Sequence, residues 1–224
     1  EIKGRTYEDI IPKELNEQKE KKNKYGLARA ILNCPAPEAY PENIGFLNKP
    51  EEHFPGLENL VSGFGPETKN LLEVKRNNLV AFQKYSGLEE NPDALLAVYC
   101  ARIDDFQKGC QFIMDHAYNL AEKHQDSKNP LQIAIVGNPS GNNPRLDHSS
   151  LVNMALASNG KITYQKFSKK VEALSHSGAS MVFGPSRFEP CGQNDQIGLL
   201  YGAFGTFTDT GGYHDKIEPL RLAS

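Results

Sequence analysis

Pro185-Ser186-Arg187-Phe188-Glu189-Pro190-Cys191-Gly192-Gln193-Asn194 joins two segments of different rhythm. Before it stands Ala179-Ser180-Met181-Val182-Phe183, a short apolar run that reads as a buried strand. After it, Asp195 to Phe204 places Ile197, Leu199, Leu200 and Phe204 on a helix face. The stretch is therefore a strand-to-helix turn, marked by proline and glycine. A helix start leaves backbone N–H groups unpaired, and its dipole favours negative charge. With a carboxylate, Glu189, and a thiol, Cys191, on that turn, the residues describe a place for a polar, anionic ligand.

The alternation repeats upstream. Residues 94–100 and 131–137 are continuous apolar runs, as in strands buried on both faces. Residues 161–164 make a third strand, 179–183 the fourth and 206–208 a fifth. Phe112, Ile113, Ala117 and Leu120 mark a helix; residues 151–157 and 167–176 are further helices. Arg102 to Gly109 is a polar turn after the first strand, Pro139 to Pro144 a loop, and Thr210-Gly211-Gly212-Tyr213 a glycine-rich loop after the last. Repeated strand–helix units predict an α/β fold with a parallel, doubly wound sheet. Ligands of such sheets bind beyond the carboxyl ends of the strands, where both turns lie.

Before this pattern the chain is irregular. Residues 1–24 end in a charge run of both signs, a solvated helix or tail. Residues 25–34 read as a strand, and 35–66 as Pro-, Glu- and Asn-rich linker. A helix is expected over 66–85, with Pro66 in its first turn and Gly87 as its stop. Leu72, Leu79 and Phe82 share its inner face, while Lys69, Lys75, Arg76 and Lys84 face solvent. The organisation is thus a linker segment, residues 1–90, before a binding domain, residues 91–224.

At 224 residues and 38% hydrophobic content, the chain can bury one α/β domain plus extra segments. A net charge of −3 gives no grip on nucleic acid or an anionic membrane. No apolar run reaches the roughly 18 residues of a spanning helix, and no signal peptide opens the chain. Cys34, Cys100, Cys110 and Cys191 form no CxxC pair, so reduced thiols in a cytoplasmic compartment are expected. The start at Glu1 without Met reads as a processed chain or an excised fragment. The six histidines show no HxH or HExxH spacing, so no metal site and no cofactor are expected.

Arg102 offers a planar fork matched to phosphate oxygens, and Lys108 a mobile point charge. Together on one turn they suit a pyrophosphate; the plainer reading pairs Arg102 with Asp104 or Asp105. On the later turn, Gly192 lets a ligand approach the backbone. Glu189 there has a plainer reading as a complement to the helix dipole, and Cys191 as a small buried hydrophobe.

The run from Pro185 to Gly192, continued by Tyr201-Gly202 and Thr210-Gly211-Gly212, closely resembles the donor-site motif of bacterial glycogen synthases and plant starch synthases. The Arg102…Lys108-Gly109 turn resembles their phosphate-binding turn, and the resemblance covers about residues 75–217. It implies a GT-B glycosyltransferase of two facing Rossmann-like domains. Such an enzyme transfers glucose, with retention, from ADP-glucose or UDP-glucose to the end of an α-1,4-glucan. This chain would be the C-terminal, donor-binding half, truncated at its C-terminus and lacking the N-terminal, acceptor-side domain, so it is expected to be inactive alone.

By the same resemblance Arg102 and Lys108 hold the diphosphate, Glu189 holds the glucose hydroxyls and Cys191 lines the sugar pocket. The backbone N–H groups of Gly192, Gln193 and Asn194 face the distal phosphate. Phe167 falls where an aromatic ring covers the adenine, or else is a core helix residue. Gln193, Asn194 and Asp195 depart from the usual residues after Cys-Gly, Tyr213 and His214 depart after Gly-Gly, and the first turn is one residue longer than usual. Two other readings stand beside this one: a nucleotide-sugar- or glucan-binding module without catalysis, and a related transferase with another acceptor.

Overall fold

The structure is a computed structural model that describes residues 35, 39–44, 47, 49–57, 60, 63–65, 67–104 and 106–214. The expectations for residues 1–34, for Pro66 and for Asp105 fall outside the described residues.

Among the described residues five strands form one parallel sheet: β1 (Leu95–Cys100), β2 (Leu131–Val136), β3 (Ile162–Gln165), β4 (Met181–Gly184) and β5 (Phe204–Phe207), in the order β3-β2-β1-β4-β5. The helices are α1 (Pro50–His53), α2 (Leu71–Ser86), α3 (Cys110–Lys123), α4 (His148–Ala157), α5 (Lys169–Gly178), α6 (Asn194–Leu200) and α7 (Gly211–His214). This is the Rossmann-like, doubly wound α/β arrangement. The chain steps outward from β1 to β3, returns, and steps outward from β4 to β5, so the direction of winding reverses between β1 and β4. The register there pairs Ala97 with Met181 and Val98 with Val182.

Alternate residues of β1, β2 and β4 enter two separate cores. Leu96, Val98, Cys100, Ala134, Val136 and Val182 pack beneath α2, α5 and α6. Ala97, Tyr99, Ile133 and Ile135 pack beneath α3 and α4. Burial on both sides explains why β1 and β2 are apolar without alternation. Gln132 is the exception inside β2. Its amide meets that of Gln83 on α2, where Gln83 Nε2 donates to Gln132 Oε1 at 2.8 Å and to the Asn91 carbonyl at 2.8 Å. Gln83 Oε1 accepts the Asn91 N–H at 3.0 Å, and Gln132 Nε2 donates to the Glu89 carbonyl at 2.7 Å.

Several expectations shift. Helix α2 buries Val74, Asn78, Leu79 and Phe82, leaving Leu72 83% exposed, and it ends at Gly87 with φ 77. Lys75, expected in solvent, donates from Nζ to the Tyr201 carbonyl at 2.6 Å, and burial pushes its pKa down to about 8. The segment taken as irregular linker sends Leu47, Phe54, Leu60 and Phe64 into the first core. Phe204 lies in β5, which starts two residues earlier than expected, and Leu199 on α6 is exposed. The glycine-rich loop after β5 coils into α7.

Helices α3 and α4 cover β1 to β3 on one face, and α6 contacts β4 and β5 on the other. This follows from right-handed crossovers on a sheet wound in both directions. Between α3 and the β4–β5 half of the sheet lies a groove of about 540 Å³, lined by Phe112, His116, Leu120, Phe183, Thr206 and Phe207. Phe112 and Leu120 face it rather than the core. Among the described residues no helix is long and apolar enough to cross a membrane.

Candidate functional site

The turns after β1 and β4 leave adjacent strands at the point where the winding reverses. That is the crevice in which open α/β sheets bind their ligands. The Arg187 N–H donates to the Gln107 carbonyl at 2.8 Å, and the Phe106 and Phe188 rings meet edge-to-face at 6.0 Å. The turns touch most closely at Gly109. A Cβ there would lie 1.9 Å from the Pro185 carbonyl oxygen, and its φ of 66 is one that glycine adopts freely.

Lys108 and Glu189 meet across this junction. Lys108 Nζ lies 2.5 Å from Glu189 Oε2, and the two side chains are only 18% and 11% exposed. Glu189 Oε1 accepts the Gly192 N–H at 3.3 Å, and Oε2 accepts the Ser186 hydroxyl at 3.3 Å. Its backbone carbonyl accepts the Gly212 N–H at 2.7 Å. The Gly-Gly pair at the start of α7 is required by this approach. A Cβ at Gly211 would sit 2.2 Å from the Glu189 carbonyl oxygen, and one at Gly212 2.2 Å from that of Cys191. Burial, with the charges of Glu189 and Asp195, pushes the Tyr213 phenol up.

The first turn is shaped by Asp104, whose buried carboxylate accepts the N–H groups of Phe106 at 3.2 Å, Gln107 at 2.6 Å and Lys108 at 2.9 Å. The Tyr99 hydroxyl, from inside β1, shares its one proton between the carbonyls of Arg102 and Lys108, at 3.0 and 3.3 Å. The Arg102 guanidinium lies 3.7 Å from Asp104 and 2.6 Å from Gln107 Oε1 and is largely exposed.

Cys191 is half-buried and in no disulfide, Gln193 is exposed, and Gly192 is buried. Asn194 is pinned to β1 by its side chain, which donates from Nδ2 to the Cys100 carbonyl at 2.8 Å. Phe167 is not a core helix residue. It precedes the Ser168 cap of α5, is 38% exposed, and borders a second hollow with Tyr85, His148 and Tyr164, lined by the segment after β3. The structure thus joins Lys108, Glu189, Ser186 and Gly192 directly and sets Phe167 after a neighbouring strand. Among the described residues no three His, Cys, Asp or Glu side chains are grouped as metal ligands.

Asp104, Ser186 and the close packing of Gly211 and Gly212 were not singled out in the sequence as parts of the site. Asp followed within four residues by a turn is the signal for the first, because its short carboxylate bonds forward to the backbone.

No protein-family model matches the chain. It is 33% identical over 172 residues to a glycogen synthase of Glaesserella parasuis, covering 74% of this chain and 32% of that protein. It is 34% identical over 153 residues to a glycogen synthase of Pasteurella multocida, covering 64% of this chain and 28% of that one. The chain therefore spans about a third of the length of the curated relatives it matches. The catalytic domain of starch synthase IV from Arabidopsis thaliana, solved with ADP and acarbose, superposes with a TM-score of 0.64 at 20% identity, over 82% of this chain and 33% of that one.

Proposed function

The chain is a homologue of bacterial glycogen synthases across about a third of their length, and on that premise we propose that it is the donor-binding part of a retaining glucosyltransferase. The reaction moves glucose from ADP-glucose or UDP-glucose to the non-reducing end of an α-1,4-glucan. Residues 91–224 hold the donor, residues 1–90 lead into that domain, and the enzyme works in the cytoplasm.

The observation that carries this reading is the meeting of Lys108 and Glu189 at the reversal of the sheet. Transfer from a nucleotide sugar breaks the bond between the anomeric carbon and the distal phosphate, and negative charge gathers on the leaving diphosphate. An ammonium in a largely dry crevice stabilises that charge. Lys108 supplies it, joined by the backbone N–H groups at the start of α6, with Arg102 swinging in from the rim. Glu189 accepts hydrogen bonds from the sugar hydroxyls and fixes the ring while the anomeric bond lengthens; Cys191 borders the ring. The Phe167 ring covers the base. The diphosphate itself takes the proton of the acceptor hydroxyl, so this chain needs no second carboxylate of the glycosidase kind.

The test uses the complete protein that contains this chain, with ADP-glucose, UDP-glucose and glycogen. Glu189→Gln should lower kcat by roughly 100-fold or more while leaving folding intact, since the lost contact is one that strengthens in the transition state. Lys108→Ala should cost about 2–4 kcal/mol in kcat/KM for the donor. Wild-type turnover in both variants, with only a lowered melting point, would make the turn a structural device and the reading wrong.

A further inference from the structure

In the chain by itself, each of the two charged groups assigned to the donor already satisfies the other. Glu189 is the fixed member. Its carboxylate is tied to Gly192 and Ser186, and its backbone carbonyl to Gly212. Lys108 is the movable one, a single ammonium on a four-carbon stem. A phosphate that recruits Lys108 must take it from Glu189 in a crevice where both side chains are mostly shielded from water. Unless something replaces the ammonium, the ligand also leaves Glu189 charged and facing another anion. An uncompensated, shielded charge and a like-charge neighbour both oppose binding.

Resting on the donor-site reading above, we propose that the Lys108–Glu189 ion pair is a discriminator. It disfavours a bare nucleoside diphosphate and yields to a nucleoside diphosphate that carries a polyhydroxyl group. The phosphate takes the ammonium, and the hydroxyls next to it donate to the carboxylate, so neither partner is left unpaired. A diphosphate without the sugar satisfies Lys108 and strands Glu189. After transfer the sugar is gone, Lys108 returns to Glu189, and the re-formed pair helps to expel the spent diphosphate. Glu189 then has two effects of opposite sign: it strengthens the hold on the donor and weakens the hold on the product.

The experiment is calorimetric titration of the 224-residue chain, wild type and Glu189→Gln, with ADP against ADP-glucose and with UDP against UDP-glucose. Gln keeps the shape of Glu and removes the charge that competes for Lys108. Glu189→Gln should therefore bind the bare diphosphate about tenfold tighter, ~1.4 kcal/mol. Its affinity for the matching sugar nucleotide should stay level or fall, so the wild-type preference for the sugar nucleotide shrinks or inverts. A residue that only shaped the turn would weaken both ligands together. Unchanged or weaker diphosphate binding by Glu189→Gln, with wild type binding both members of a pair, overturns the discriminator and leaves the donor site standing. Wild type that binds none of the four overturns both. If Glu189→Gln does not fold, Glu189→Asp withdraws the carboxylate by one methylene. It should tighten the bare diphosphate severalfold, and equal affinity in that variant overturns the proposal.

Discussion

Gly109→Ala should disable the crevice without touching a charged group. Gly109 caps α3 at φ 66 and ψ 22, in the left-handed region. An L side chain in that conformation costs about 1–2 kcal/mol. The added Cβ would also lie 1.9 Å from the Pro185 carbonyl oxygen, where ordinary contact begins at 3.4 Å. Backbone stands on both sides of the clash, so no side chain can rotate away from it. The two turns must part by roughly 1.5 Å, and overpacking of this kind costs about 1–3 kcal/mol more. The combined loss of about 2–5 kcal/mol is a large share of a typical domain's stability. The parting falls on the gap bridged by Lys108–Glu189 and by the Arg187–Gln107 backbone bond. Urea denaturation of the chain gives the stability, and titration with ADP-glucose reports the crevice. A stability loss below about 1 kcal/mol with unchanged ligand affinity would refute the claim that these turns are held at contact distance by a missing Cβ.

Gln83→Leu keeps much of the side chain's bulk but strands the Gln132 amide oxygen and the Asn91 N–H, and should lower stability by about 3 kcal/mol in chemical denaturation. His176 is buried, with its Nδ1 bonded to the Glu172 carbonyl at 2.8 Å and its Nε2 without a partner. Burial pushes its pKa below the usual 6.5, an effect joined by Lys75 and Lys169 and opposed by Glu172. The unfolded chain therefore takes up the proton first. The melting temperature should fall as pH drops below about 6.5, and His176→Phe should flatten that slope across pH 5 to 7.

The sheet was legible because β1 and β2 are too apolar to be anything but strands covered on both sides, and because each is followed by a turn and a helical face. Lys108, Glu189 and Gly192 were legible as chemistry on turns at the carboxyl edge. Their contact was not, because residues 81 positions apart meet only once β1 and β4 are neighbours. The groove beside α3 was not legible for a related reason. Phe112 and Leu120 are apolar, but the winding of the sheet puts no described helix over them. Lys75 was misread because a charged residue one turn from Leu71 and Leu79 looks like a solvent position, while the Tyr201 carbonyl that receives it lies 126 residues away. Phe167 stands outside its helix because Ser168 caps it, the Ser168 hydroxyl accepting the Val171 N–H at 3.2 Å.

Asp104 sets the tempo of recognition. Its carboxylate gathers three consecutive N–H groups, and the Tyr99 hydroxyl holds two carbonyls of the same turn. These bonds are made within the chain and need no ligand. A loop that becomes ordered only on capture surrenders about 1–2 kcal/mol of backbone freedom per residue at that moment. This turn surrenders it during folding, before any encounter. A ligand bound as proposed would meet a turn whose backbone is already ordered, so its association would carry no ordering cost there.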